Sequence, residues 1–140
     1  MAHKYKDYQF AIYIVGNFQK TTFYIGFTNN LVKRTIEHKY GIGSNFTSKY
    51  KLTELVYYEF YQYAPDAISR EKELKKWRRE KKIKLIKTMN PEMKDLSEKI
   101  FKDYDIKKDE IEEYVKQFKN LLKISPPRQA RGRNDKNVYD

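Results

Sequence analysis

Residues 10–34 read FAIYIVGNFQKTTFYIGFTNNLVKR, and this stretch decides the fold. Phe10 to Val15 is a run of aromatic and branched side chains, closed by the turn-favouring pair Gly16-Asn17. Thr21 to Phe27 resumes the same chemistry after a short polar connection, so the two runs predict an antiparallel hairpin. Gly26, near the end of the second run, either lets another backbone or a bound phosphate approach closely or marks a simple bulge. Thr28-Asn29-Asn30 supplies side-chain oxygens suited to capping a helix. That helix is expected from about Asn30 to Tyr40, with Leu31, Arg34 and His38 near one face, and Gly41-Ile42-Gly43-Ser44 ends it.

Before the hairpin, residues 1–9 form a polar lead-in. Beyond the helix, residues 45–51 read as a loop of polar and aromatic side chains. The apolar run from Leu55 to Tyr61 predicts a third strand, central in its sheet and buried on both faces. Ala64-Pro65-Asp66 opens a second helix expected to continue to about Lys81. Ile83 to Thr88 gives a third, short helix, stopped by Asn90-Pro91. Over Asp109 to Lys123, the stripe of Ile111, Val115, Phe118 and Leu122 predicts an amphipathic helix that packs on the main domain or on a second copy. Residues 125–140, with Pro126-Pro127 and RQARGRNDKN, are too polar to build a core and read as a disordered basic tail adding non-specific phosphate contacts.

The 140 residues carry 30 Lys and Arg against 19 Asp and Glu, a formal charge of +11. Such an excess favours a polyanionic partner, because bound cations release its counterions. Cysteine is absent, which excludes disulfides, thiolate nucleophiles and thiolate zinc sites. No apolar run is long enough to span a bilayer, and the amino terminus lacks the apolar core of a secretory signal. A cytoplasmic or nucleoid-associated location is expected. Thirteen tyrosines divide between half-buried strand positions and exposed ones able to stack on bases.

Phosphodiester hydrolysis requires a base beside the attacking water, a cation near the scissile oxygens and stabilisation of the leaving oxygen. Glu71 shares the apolar face of Ala67, Ile68 and Leu74, where a carboxylate needs a partner or a metal. One carboxylate suffices to hold Mg²⁺ or Mn²⁺ when water and substrate phosphate fill the remaining positions. The alternative is an ion pair with a neighbouring lysine one turn away. Tyr13 and Tyr24 are either core aromatics or, beside a cation that stabilises phenolate, proton acceptors. His38 either relays a proton or serves the helix C-terminus. Lys33, Lys49, Lys51, Lys75, Lys76, Arg78 and Arg79 are the candidate phosphate contacts, with Trp77 set among the last four as an anchor on the core.

These residues together resemble the GIY-YIG nuclease superfamily, and within it the small stand-alone bacterial proteins. The first motif is Ala11-Ile12-Tyr13 and the second Tyr24-Ile25-Gly26. Downstream stand Thr28-Asn29-Asn30-Leu31, Arg34 with His38, the stretch GIGSNFTSKYKLTELVYYE, the REKELKKWRREKK helix and Met89-Asn90-Pro91. The resemblance covers roughly residues 8–95, leaving 96–124 as a helical extension and 125–140 as the tail. It implies an α/β (α+β) fold in which a small three-stranded antiparallel sheet is flanked by helices, with the site across its face. It also implies that Tyr24, assisted by Tyr13, is the base, that Arg34 steadies the scissile phosphate, that His38 aids proton handling, and that Glu71 is the sole protein ligand of the metal. Asn90 resembles an asparagine that supports some members' sites. Two departures stand out: Ala11 replaces the first glycine, and Phe27 replaces a lysine found in excision-repair relatives.

The expected activity is therefore that of a Mg²⁺- or Mn²⁺-dependent endonuclease, structure-selective or weakly specific, acting on DNA with RNA left open. The competing classes are a non-catalytic nucleic-acid-binding module and a subunit that docks a partner or a second copy through residues 100–123.

Overall fold

Strand β1 (Phe10–Gly16) lies at the centre of a three-stranded antiparallel sheet, between β2 (Phe23–Thr28) and β3 (Glu54–Tyr61). The computed structural model describes residues 9–124, so most of the polar lead-in and all of the expected basic tail lie outside it. The hairpin of β1 and β2 forms as its sequence predicts. The third strand does not occupy the centre: its order in the sheet makes it an edge. Its residues Leu55 to Tyr58 are nevertheless buried, because helices cover both faces of the sheet. The apolar run thus records coverage above and below, not neighbours on either side.

Alternation along β1 divides the core in two. Ala11, Tyr13 and Val15 meet Leu31, Ile36, Ile100, Phe101 and Ile111 on one face. Ile12 and Ile14 meet Ile25, Ala67, Leu74 and Ile86 on the other. The first face is covered by α1 (Leu31–Lys39), α5 (Ser97–Asp103) and α6 (Lys108–Ile124), and the second by α3 (Ala64–Lys76) and α4 (Arg79–Met89). Asn30 caps α1 by accepting from the Lys33 amide at 3.0 Å.

Two further expectations need correction. Residues 45–51 are not simply a loop: Asn45–Lys49 form the short helix α2, with Ser44 at its N-cap accepting from the Thr47 amide at 3.2 Å. The helix expected to run to Lys81 breaks at Trp77 and Arg78, both extended, with ψ of 152° and 160°. At the break, Trp77 packs on the second cluster with the Arg70 guanidinium 5.4 Å and the Lys81 ammonium 4.1 Å from its ring. Finally, α5 opens the segment expected as a helical extension, ahead of the amphipathic stripe. Asp95 seats it by accepting from the Leu55 amide at 3.1 Å and from the Ser97 amide and hydroxyl at 3.0 and 2.6 Å.

The segment after residue 96 shares the main core, because Ile100, Phe101 and Ile111 sit among the side chains of β1. Tyr114 on α6 donates its hydroxyl to Glu37 on α1 at 2.6 Å. The first half of α6 is thus docked on its own domain, while Leu121 further along is exposed.

Candidate active site

The register of β1 and β2 sets Tyr13 directly opposite Gly26. A Cβ at position 26 would fall 2.3 Å from the Tyr13 hydroxyl, so the missing side chain is what allows the Tyr13 ring to lie over β2. The close approach foreseen at Gly26 is therefore made by an aromatic ring, and the sheet's irregularity lies elsewhere, at Ile14/Val15 against β3. Tyr24 lies two residues before Gly26 and shares its face. The centroids of the Tyr13 and Tyr24 rings are 6.4 Å apart.

His38 enters this pair from the last turn of α1. Its ring lies 5.4 Å from Tyr13 and 6.1 Å from Tyr24, and its Nε2 is 3.1 Å from the Tyr13 hydroxyl. Burial, reinforced by the positive charge of Arg34, lowers the His38 pKa to about 4. The imidazole is neutral at neutral pH, and its other nitrogen, Nδ1, is buried with no hydrogen-bond partner. Neutral imidazole retains one bare nitrogen able to accept a hydrogen bond. Arg34 stands one turn earlier, about half exposed, with Glu37 Oε1 3.4 Å from its Nη1. At 3.4 Å, with its guanidinium half exposed, this contact contributes little and leaves Arg34 able to take a phosphate.

Glu71 approaches from the opposite side. It shares with Ala67 and Leu74 the stripe of α3 that packs on the second face, and is only 9% exposed. Oε2 pairs with Lys75 Nζ at 3.0 Å. No group of three His, Asp or Glu suited to a metal occurs among the described residues. A carboxylate oxygen is the kind of donor a hard divalent cation takes, and Glu71 is the residue here that would supply it. Phe27 also belongs to the second face, stacked on Phe10 at 5.9 Å. A side chain at position 27 therefore points away from the two tyrosines.

The structure brings Tyr13, Tyr24 and His38 together, with Arg34 one turn away. Asn90 is occupied differently. Its amide nitrogen donates to the carbonyls of Val56 at 3.0 Å and Lys94 at 2.8 Å, while its oxygen accepts from the Lys94 amide at 3.0 Å. It is buried, and these bonds fasten the end of α4 to β3.

The expected phosphate contacts separate in the same way. Arg79 donates to the carbonyls of Thr21 at 2.7 Å and Lys20 at 2.6 Å and lies over the Phe23 ring, bracing the hairpin. Lys75 is engaged with Glu71. Lys33 lies 5.9 Å from the Tyr114 ring centroid and Lys49 5.4 Å from that of Tyr50. Lys51, Lys76 and Arg78 are exposed. Sequence reasoning did not single out Phe46 on the short helix and Tyr50 at its C-cap, although their spacing of four in an otherwise polar segment was a signal.

A family model described as the GIY-YIG catalytic domain matches residues 9–84, over half of the chain. A UPF0213 protein of Staphylococcus saprophyticus is 37% identical over 75 residues, spanning 54% of this chain and 90% of the relative. A UPF0213 protein of Clostridium perfringens is 43% identical over 63 residues, spanning 45% and 68%. One from Staphylococcus aureus is 36% identical over 64 residues, spanning 46% and 78%. No solved structure matches the chain. No described helix is long and apolar enough to cross a membrane.

Proposed function

The chain belongs to the GIY-YIG catalytic-domain family, and on that premise we propose that it is a divalent-metal-dependent endonuclease hydrolysing phosphodiester bonds in DNA, with structural or weak sequence selectivity. The observation that carries this reading is the Tyr13–His38–Tyr24 cluster beside a weakly committed Arg34. A mere phosphate-binding surface has no use for a neutral histidine hydrogen-bonded to a tyrosine beneath it.

Tyr24 is the less buried of the two tyrosines and takes the role of base toward the attacking water. Tyr13 and His38 hold the adjoining hydrogen bond, and the neutral imidazole relays hydrogen bonding toward Tyr24 without itself storing the proton. Arg34 grips the phosphate and offsets the charge that grows on its oxygens. Glu71 would hold a Mg²⁺ or Mn²⁺ ion, which would supply Lewis-acid stabilisation of the charge that develops on the phosphate oxygens. The tyrosines and Glu71 belong to opposite faces of the sheet, and β2 is an edge strand. We therefore seat the phosphodiester along the open edge of β2, where groups from both faces can reach it. Asn90 serves this arrangement by fixing the chain behind it, not by touching substrate.

The test is a side-by-side cleavage assay of the full chain and its Glu71→Ala variant. Labelled single-stranded, duplex, nicked and flapped DNA and matched RNA are presented with Mg²⁺, Mn²⁺ or chelator. Metal-dependent products from the unaltered chain alone are expected. Salt-sensitive binding by two folded proteins that cut nothing would replace this reading with that of a binding module.

A further inference from the structure

The aromatic contacts of the cluster do not stop at Tyr24. Its ring lies 6.1 Å from that of Phe46, and Phe46 lies 4.9 Å from Tyr50. Both outer rings belong to one turn of chain around α2, four residues apart, and they are 46% and 45% exposed. Large apolar side chains left this open beside a buried core call for an occupant. The flanking charge says what kind: Lys49 Nζ lies 5.4 Å from the Tyr50 centroid, and Lys51 beside it is exposed and held at a φ of 56°. Two adjoining rings are far too small a surface for a stable protein interface. They match the size and chemistry of a nucleobase whose own phosphates meet the lysines.

We propose that Phe46 and Tyr50 form a stacking platform for an unpaired base next to the scissile phosphate, with Lys49 and Lys51 holding the sugar–phosphate chain. The proposal rests on the hydrolase reading for its position relative to the cut. The ring contact of Phe46 with Tyr24 makes the platform continuous with the cluster, so a strand crossing it arrives at the edge of β2. A base within a duplex is already stacked on both faces and cannot use the platform. The geometry therefore adds affinity for nicked, flapped or single-stranded nucleic acid without reading sequence.

The full chain is titrated in EDTA, so that nothing is cut, with short base-bearing single strands, strands of the same length made of abasic sugars, and blunt duplex. The base-bearing strand is expected to bind about 5- to 150-fold more tightly than the abasic strand, the range for one stacked base. Phe46→Ala with Tyr50→Ala should erase that difference and leave duplex affinity and its salt dependence unchanged. Phe46→Tyr with Tyr50→Phe should preserve it. Equal affinity of the unaltered chain for the two strands would overturn the platform, and this comparison needs no variant to fold. Equal weakening toward all three probes by the double alanine variant would also overturn it, as a structural effect. Parallel assays with Mg²⁺ separate the two ideas. Cleavage without base discrimination sinks the platform alone, and base discrimination without cleavage sinks the hydrolase reading alone.

Discussion

The Tyr13 ring covers Gly26, its direct partner across the hairpin, so closely that a Cβ there would lie 2.3 Å from the hydroxyl and 2.4 Å from the ring carbon bearing it. One glycine on an edge strand thus sets where the hydroxyl meets His38. Gly26→Ala should displace the Tyr13 side chain, cost about 1–3 kcal/mol of stability as overpacking does, and depress cleavage well beyond the effect of the unfolded fraction. Thermal unfolding alongside cleavage rates checks this. Unchanged activity per folded molecule would detach the Tyr13–His38 contact from function.

His38 predicts a stability that depends on pH. Its folded pKa of about 4 lies below the ordinary value of 6.5, through burial and then the charge of Arg34. Between those values the unfolded chain binds the proton and the folded chain does not. Stability should therefore fall as pH drops from about 6.5 to about 4, by up to about 3 kcal/mol. Burial pushes the Glu59 pKa up, but hydrogen bonds from Arg70, Tyr57 and Tyr61 outweigh it and hold the carboxyl below the norm of 4.5, so its contribution is lost as pH falls below that value and overlaps only the foot of the His38 step. Denaturant titrations across pH should show the upper step, and His38→Gln should remove it. Persistence of the step in that variant would place its origin elsewhere.

The basic residues around the helix break should behave as two classes. Arg79 braces the hairpin through two carbonyls, so Arg79→Ala should lower stability by about 1 kcal/mol with little effect on the salt dependence of DNA binding. Lys76→Ala and Arg78→Ala should leave stability alone and each reduce the salt slope by about one. Binding isotherms at several salt concentrations decide the matter, and a slope reduced only by Arg79→Ala would reverse the assignment.

Asn90→Ala leaves the Val56 carbonyl and the Lys94 amide without their bonds. A destabilisation of about 2–3 kcal/mol is expected, with cleavage per folded molecule largely retained. Abolished cleavage in a stably folded variant would instead put Asn90 in contact with substrate.

Residues 97–111 share the core of β1, so Ile100→Ala should cost about 2–5 kcal/mol and unfolding should remain a single transition. Two separate transitions, with the first alone sensitive to Ile100→Ala, would make the helical extension an independent unit.

Much of this was legible along the chain because the signals are local. The alternation of Phe10 to Val15 and Thr21 to Phe27, the turn between them and the Asn30 cap depend on neighbours a few residues away, and the hairpin and first helix follow from them. Tyr13, Tyr24, Arg34 and His38 stood out through the family resemblance that their short motifs carry, which is local as well. What depended on distant partners was not. Strand β3 reads as central but stands at an edge, since burial by helices and burial by strands leave the same apolar run. Arg79 and Asn90 carry no mark of the carbonyls they bind, and α5 is seated by an aspartate whose partners include Leu55, forty positions away. Sequence by itself determined which side chains could do chemistry, because residue type and short-range period are written in order along the chain. Only the tertiary structure decided which of them meet, because the face, the edge and the competing backbone partner belong to contacts between segments that the order of residues does not state.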